Sequence, residues 1–342
     1  MKQDYRKISR IIIYCTGAFA LLTIGLFLFN RLSSINRNLP VDTSLLADYG
    51  TLVGGLATAA LTIASIYLII QTINEQKIFF DTQQNSQQIY FNKNEVEQRI
   101  FEFIRLYREN VNEVSGKGYE GRNLFIMIRN EILDALEIVQ KHLTSDSDYN
   151  EDFVGEKNKA NIDMAFMLVY FGTSTMTDEY LLTTFKSDYC NEAKAKIILQ
   201  DVRAVYKEIK ANNEAAKTDH SKAYKYLPFD GHQSRLGHYF RHLYHTVTFV
   251  NNLPDDLYPF DEKYKYVKML RGQISNHEQA IIFFNSLSRL GNQWEVAHTE
   301  ESKKLITNYA LIKNIPDGFT GKLRPQDFYP NIKYEDIDRK KV

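Results

Sequence analysis

Two uncharged apolar runs near the N-terminus constrain this chain more than any other feature. Ile11 to Phe29 reads IIIYCTGAFALLTIGLFLF, and Tyr49 to Ile70 reads YGTLVGGLATAALTIASIYLII. A hydrocarbon core about 30 Å thick is crossed by roughly 20 residues of helix at 1.5 Å per residue, and both runs reach that length. A cleaved signal peptide fits the first run poorly: the run is long, no A-x-A site follows, and a second run comes soon after. The sequence therefore predicts two transmembrane helices within residues 11–70. Lys2, Arg6, Lys7 and Arg10 precede the first run, whereas the connecting segment Asn30–Asp48 carries only Arg31 and Arg37. Basic residues favour the cytoplasmic side. Residues 1–10 are then a basic cytoplasmic N-terminus, the connector a short external loop, and both termini face the cytoplasm. Gly50, Gly54 and Thr58 recur at four-residue spacing, which allows close approach of another helix, although small residues are also simply common in membrane helices.

The remainder reads as helices. Proline is scarce, with 7 in 342 residues, while Tyr and Phe number 22 and 21. That balance favours packed helices over a loop-rich chain. Val96, Ile100, Phe103, Ile104, Tyr107 and Val111 fall at helical spacing with no Pro or Gly from Gln71 to Val114, so residues 71–114 are expected to form one long connecting helix. SGKGYEG, Ser115 to Gly121, is a loop by its glycines. Within residues 115–342 helices are expected over Arg122–His142, Ile162–Phe171, Asp178–Phe185, Ala193–Ala216, Gly231–Asn251, Glu262–Leu290 and Trp294–Ile312. No strand-like alternation of any length appears. The expected fold is all-α: two transmembrane helices, a long helix, and a cytoplasmic helical bundle. Acidic and basic residues balance at 42 each, which excludes the basic footprint of a nucleic-acid-coating protein. The two cysteines, Cys15 and Cys190, give no disulfide framework.

Candidate chemistry gathers in GHQSRLGHYFRHLYHTVTFV, Gly231 to Val250. Asp230 and Gln233 resemble a capping pair at its start. On a helix, Leu236, Phe240, Leu243 and Val247 share one side, and Arg235, His238, His242 and His245 the other. Three readings compete. His238, His242 and His245 at i, i+4 and i+7 suit a zinc ion, though a further ligand is needed and no HExxH is present. Arg235-x6-His242 fits the R-x4-6-H spacing of HEPN ribonucleases, all-helical domains that usually act as dimers, and Arg271-x5-His277 has similar spacing. Arginine would hold the scissile phosphate of an RNA and histidine would move protons. The third reading is structural: a basic helix face bonded within a bundle.

Arg271, Glu278 and Asn285 repeat every seven residues among Val267, Leu270, Ile274, Ile281 and Phe284, which places them on one stripe if the helix is continuous. Such groups are costly to bury unless paired. Arg235, His242, Arg271 and Glu278 are therefore expected to meet between two helices, as a structural or a catalytic network. There is no phosphate-binding loop, dinucleotide fingerprint, GxSxG or paired CxxC, so no cofactor and no resident metal is expected.

The segments RIFEFIRLYRENVNEV (Arg99–Val114), FDGHQSRLGHYFRHLYHTV (Phe229–Val247) and YVKMLRGQISNHEQAIIFFNSLS (Tyr266–Ser288) resemble the AbiC-like phage abortive infection proteins. The resemblance implies a bacterial antiphage defence protein, often with two N-terminal membrane helices and sometimes with a toxin-sensor partner. It implies no particular reaction or catalytic residue. The expectation is an effector that senses infection through its helical domain and acts at the membrane by assembly or permeabilisation. Its partners would be the lipid bilayer, further copies of itself, and a defence-system protein or phage-derived trigger. The alternative is a membrane-tethered, metal-independent HEPN-like endoribonuclease, and a weaker one is a zinc-stabilised sensor.

Overall fold

Long stretches without Pro or Gly make helices, and helices account for nearly all regular structure. The computed structural model describes residues 2–33, 43–116, 119–150, 156–216, 227–295 and 304–335. The helices are α1 (Lys2–Ser33), α2 (Thr43–Glu113), α3 (Arg122–His142), α4 (Lys157–Phe171), α5 (Thr175–Thr184), α6 (Glu192–Ala216), α7 (Gln233–Asn251), α8 (Phe260–Arg271), α9 (Asn276–Leu287), α10 (Leu305–Tyr309) and α11 (Pro325–Phe328). The expected loop at SGKGYEG contains a minimal antiparallel pair, β1 (Ser115–Gly116) with β2 (Tyr119–Glu120). The all-α class holds. The chain divides into two compact units, residues 1–96 and 97–342.

The first unit corrects one expectation. Among the described residues one helix, Gly50–Glu113, is long and apolar enough to cross a membrane; the first run contributes a shorter apolar helix, Ile13–Leu26. The side chains of Ile12 and Phe27, which flank it, and connector residues 34–42 lie outside the described residues. In α2 the apolar side chains Leu52, Leu56, Leu61, Ile63, Ile66 and Ile69 are all exposed.

The core of the second unit is built on α4. Every residue from Ala160 to Val169 is buried, as expected for a helix apolar on all sides. Helices α3 and α9 pack against α4 and against each other. The α3 stripe is Leu124, Ile128, Ile132, Ala135 and Val139; in α9 everything from Glu278 to Ser286 is buried. The last turns of α2 bury Ile100, Ile104, Tyr107 and Val111.

Two expected helices break. Glu262–Leu290 is not one helix but α8 and α9, separated over Gly272–Ser275. The stop is chemical: the Glu278 N–H donates to Ser275 Oγ at 3.3 Å and the Ser275 N–H donates to the Glu278 carboxylate at 3.1 Å. This reciprocal capping box starts a new helix. The seven-residue stripe of Arg271, Glu278 and Asn285 is therefore interrupted after Arg271. Trp294–Ile312 is likewise not continuous. Asn292–Trp294 is a 3-10 turn, residues 296–303 lie outside the described residues, and α10 is a short helix between left-handed Lys304 and Ala310. Helix α5 ends in a π-turn, Phe185–Tyr189.

Candidate functional site

Helix α7 carries the sequence-predicted face, and a tight crossing of two backbones fixes its entry. Tyr170 O accepts the His232 N–H at 2.9 Å, and Phe229 O accepts the Thr173 N–H at 2.8 Å. Gly172 and Gly231 both have positive φ, and a Cβ on Gly172 would lie 2.4 Å from the Gly231 nitrogen. Only glycine tolerates both conditions. The carboxylate of Glu131, buried on α3, accepts the Phe229 N–H at 2.6 Å and pairs with His232 Nε2 at 2.9 Å. His232 is the N-cap residue of α7 and makes no side-chain cap bond. The expected Asp230–Gln233 capping pair is thus not the cap. The crossing and Glu131 set the start of the helix instead.

The apolar face is as expected: Leu236, Phe240, Leu243 and Val247 are buried, joined by Tyr239 and Val250. The polar candidates go to different places. Arg235 donates through Nε to Ser115 O at 3.0 Å and through Nη1 to Gly231 O at 3.2 Å. His242 is half-buried, and its Nε2 lies 3.1 Å from Phe103 O of α2. His238 and His245 are exposed. Arg271, buried, donates to Tyr309 O at 2.8 Å and Ala310 O at 3.1 Å, closing the end of α10. His277 rests on the Phe319 ring with centroids 4.8 Å apart. Its Nδ1 is buried without a hydrogen-bond partner, and burial, reinforced by Arg129, lowers its pKa below the usual histidine range. Asn285 Oδ1 accepts the Trp294 indole N–H at 3.1 Å. Among the described residues no group of three His, Cys, Asp or Glu side chains is placed to hold a metal ion.

The expected meeting of Arg235, His242, Arg271 and Glu278 does not form. The first three are committed to main-chain carbonyls of separate elements, because the break after Arg271 takes it off the helix of Glu278. Glu278 instead centres a different polar core. It is fully buried. Its carboxylate accepts hydrogen bonds from the Tyr107 hydroxyl of α2, the Tyr239 hydroxyl of α7 at 3.3 Å and the Ser275 hydroxyl at 2.6 Å. Arg122 Nε stands 3.9 Å away. Burial, reinforced by the Glu278 charge, raises the Tyr107 hydroxyl well above its ordinary pKa; burial acts the same way on Tyr239, with Tyr107 and Glu278 adding to it. Both phenols therefore keep their protons at neutral pH and serve as donors. The arrangement acts as a clamp of α2, α7 and α9 around one carboxylate. Tyr107 could have been found from the sequence: it lies on the buried stripe Ile100–Ile104–Tyr107–Val111, and a buried hydroxyl needs a partner. Ser275-x-x-Glu278 was equally legible as a helix start.

The comparison with known families falls on this region. Residues 231–320 match the family model described as putative phage abortive infection protein. The matched segment contains α7, α8, α9 and α10, and so Tyr239, Arg271 and Glu278. Tyr107, Glu131 and Gly172, which hold those helices from α2, α3 and the end of α4, lie outside it. No curated protein and no solved structure matches the chain.

Proposed function

We propose that this chain is a membrane-anchored phage-defence protein of the abortive-infection type. The match over residues 231–320 carries the defence role. The membrane anchor rests on α2. Its leucines and isoleucines are exposed along Leu52–Ile70, and an exposed apolar surface of that extent is stable in lipid rather than water. The hydroxyls in the stretch are satisfied within the helix: Thr58 donates to Gly54 O at 2.7 Å, Thr62 to Thr58 O at 2.8 Å and Ser65 to Leu61 O at 2.8 Å. A bilayer requires this internal satisfaction. A Cβ added at Gly50 or Gly54 would meet nothing within 4 Å, so a second copy can pack against this face. The helical domain lies on the cytoplasmic side of the inner membrane, where phage products accumulate, and holds the last turns of α2 through the Tyr107–Glu278–Tyr239 core. A phage-derived trigger that loosens this core would free α2 to assemble with other copies and disturb the bilayer.

The experiment is production of the intact chain in a bacterial host under phage challenge, with cell fractionation. The expected result is fewer plaques, with the chain in the membrane pellet after alkaline carbonate extraction. A chain found in the soluble fraction, or one giving no protection against a broad phage panel, contradicts the proposal.

A further inference from the structure

On another side of the second unit, a recess of about 790 Å³ opens beside α4, the π-turn and the segment that follows α9. Its wall contains a guanidinium held in one orientation. Asp163 of α4 accepts the Arg289 backbone N–H at 3.0 Å and Arg289 Nε at 3.3 Å. The Tyr189 hydroxyl, delivered by the π-turn, also donates to Asp163 and receives Arg289 Nε at 3.0 Å. Asp188 holds Arg289 Nη2 at 2.8 Å. Nη1 is the one guanidinium nitrogen with no partner among the described contacts, and the side chain remains 31% exposed. A buried acid, a neighbouring acid and a phenol thus fix the arginine in the wall of the recess. Departures from regular geometry also gather here, in the π-turn at Tyr189 and in the left-handed backbone of Lys304. Both kinds of feature concentrate at functional sites.

The other charges sort by availability. The carboxylate of Asp163 is committed to the arginine and the phenol. Glu295 accepts the Thr307 N–H at 2.8 Å and its hydroxyl at 2.9 Å. Glu156 faces Lys159 at 3.2 Å. Lys304 is exposed on the rim, where its charge acts on Glu295. Phe328 also lines the recess, half-buried, with its ring 5.5 Å from that of Phe283. A pocket of this volume is suited to a small organic ligand, with a few convergent polar groups setting orientation. An oriented arginine nitrogen with an exposed lysine on the same recess is a donor pair suited to phosphate. We propose that this recess binds a phosphate-bearing small molecule of nucleotide size, with Arg289 and Lys304 on the phosphate and Phe328 against its ring. The inference is independent of the defence role, because it concerns binding by the purified chain.

The test is titration of the full chain in detergent with AMP, GMP, CMP and UMP in turn and with inorganic phosphate, read by calorimetry. Lys304→Ala and Arg289→Lys are compared with the intact chain. Lys304 is exposed, so its variant keeps the fold even if the Arg289 variant does not. The expected result is saturable binding of at least one nucleotide, more than tenfold tighter than inorganic phosphate and weakened about tenfold by Lys304→Ala, the effect of one lost charge-assisted contact. Three outcomes overturn the proposal: no saturable nucleotide binding, inorganic phosphate binding as tightly as any nucleotide, or nucleotide affinity unchanged in Lys304→Ala.

Discussion

The hydroxyl of Tyr107 donates to the carboxylate of Glu278, joining helix α2 to helix α9 across 171 positions of sequence. Tyr239 of α7 donates to the same carboxylate at 3.3 Å. Because Glu278 is fully buried, each donor offsets part of a large desolvation penalty. A hydrogen bond to a charged buried group contributes on the order of 1.5–3 kcal/mol. Tyr107→Phe is therefore expected to destabilise the helical domain by about 2 kcal/mol, seen as a lower unfolding midpoint in detergent. Tyr107→Phe in a Glu278→Gln background should cost clearly less, because the charge being served is gone. Equal losses in both backgrounds would show that the two side chains are not coupled.

Much of the architecture was legible beforehand, and what was not has a common cause. Arg122–His142 was readable to the residue because its apolar stripe is continuous and glycine and leucine bracket it. Helix α7 was readable from its two faces. The division of α8 from α9 was hidden because the apolar period continues through Gln273 and Ile274. A single glycine is tolerated inside helices, and Ser275-x-x-Glu278 looks like helix interior unless it is read as a cap. That one missed stop put Arg271 beside Glu278 on paper, whereas in the fold it closes α10. The Arg289 cluster was invisible for another reason: Asp163, Tyr189 and Arg289 come from three separate elements, and only an acid inside the apolar run of α4 hinted at it.

The crossing of Gly172 and Gly231 should tolerate no side chain. Gly172→Ala places a Cβ 2.4 Å from a backbone nitrogen at φ +73. The expected loss is well above the roughly 1–2 kcal/mol of the left-handed conformation alone. Gly318→Ala, at φ +81 with nothing within 4 Å, should cost only that conformational amount. Comparison of the two unfolding midpoints checks the argument; similar losses would mean that the close approach is not rigid.

Acid should act through Asp148. Its carboxylate accepts the Ser145 N–H at 2.9 Å, meets Lys194 at 2.9 Å and accepts the Thr144 N–H at 2.8 Å. These contacts, the Ser145 bond first, hold its pKa well below the usual aspartate range. A depressed carboxylate pKa contributes stability that is fully present above about pH 4 and is lost as pH falls through the folded-state value. Asp148→Asn should lower the unfolding midpoint at pH 7 and flatten its fall between pH 5 and 2. A variant whose acid limb matches that of the intact chain would contradict this role.

Cys190 should be unreactive in the folded protein. Burial pushes its thiol up to about 11, so the thiolate that reacts is scarce at pH 8. Alkylation followed by mass spectrometry should show Cys190 modified only after unfolding. Rapid native modification would mean that the α4–α6 region opens readily.

The central claim, defence exerted from a membrane anchor, is tested most directly by plaque formation. Phage would be plated on cells carrying the intact chain and on cells carrying Ile63→Lys with Ile66→Lys. Each charge at mid-bilayer costs about 2.5–3.5 kcal/mol on insertion scales, while both side chains are exposed and belong to the first unit. The account predicts that the intact chain reduces plaque number and that the double variant, produced at equal level, restores it. Equal protection by both chains would contradict the account.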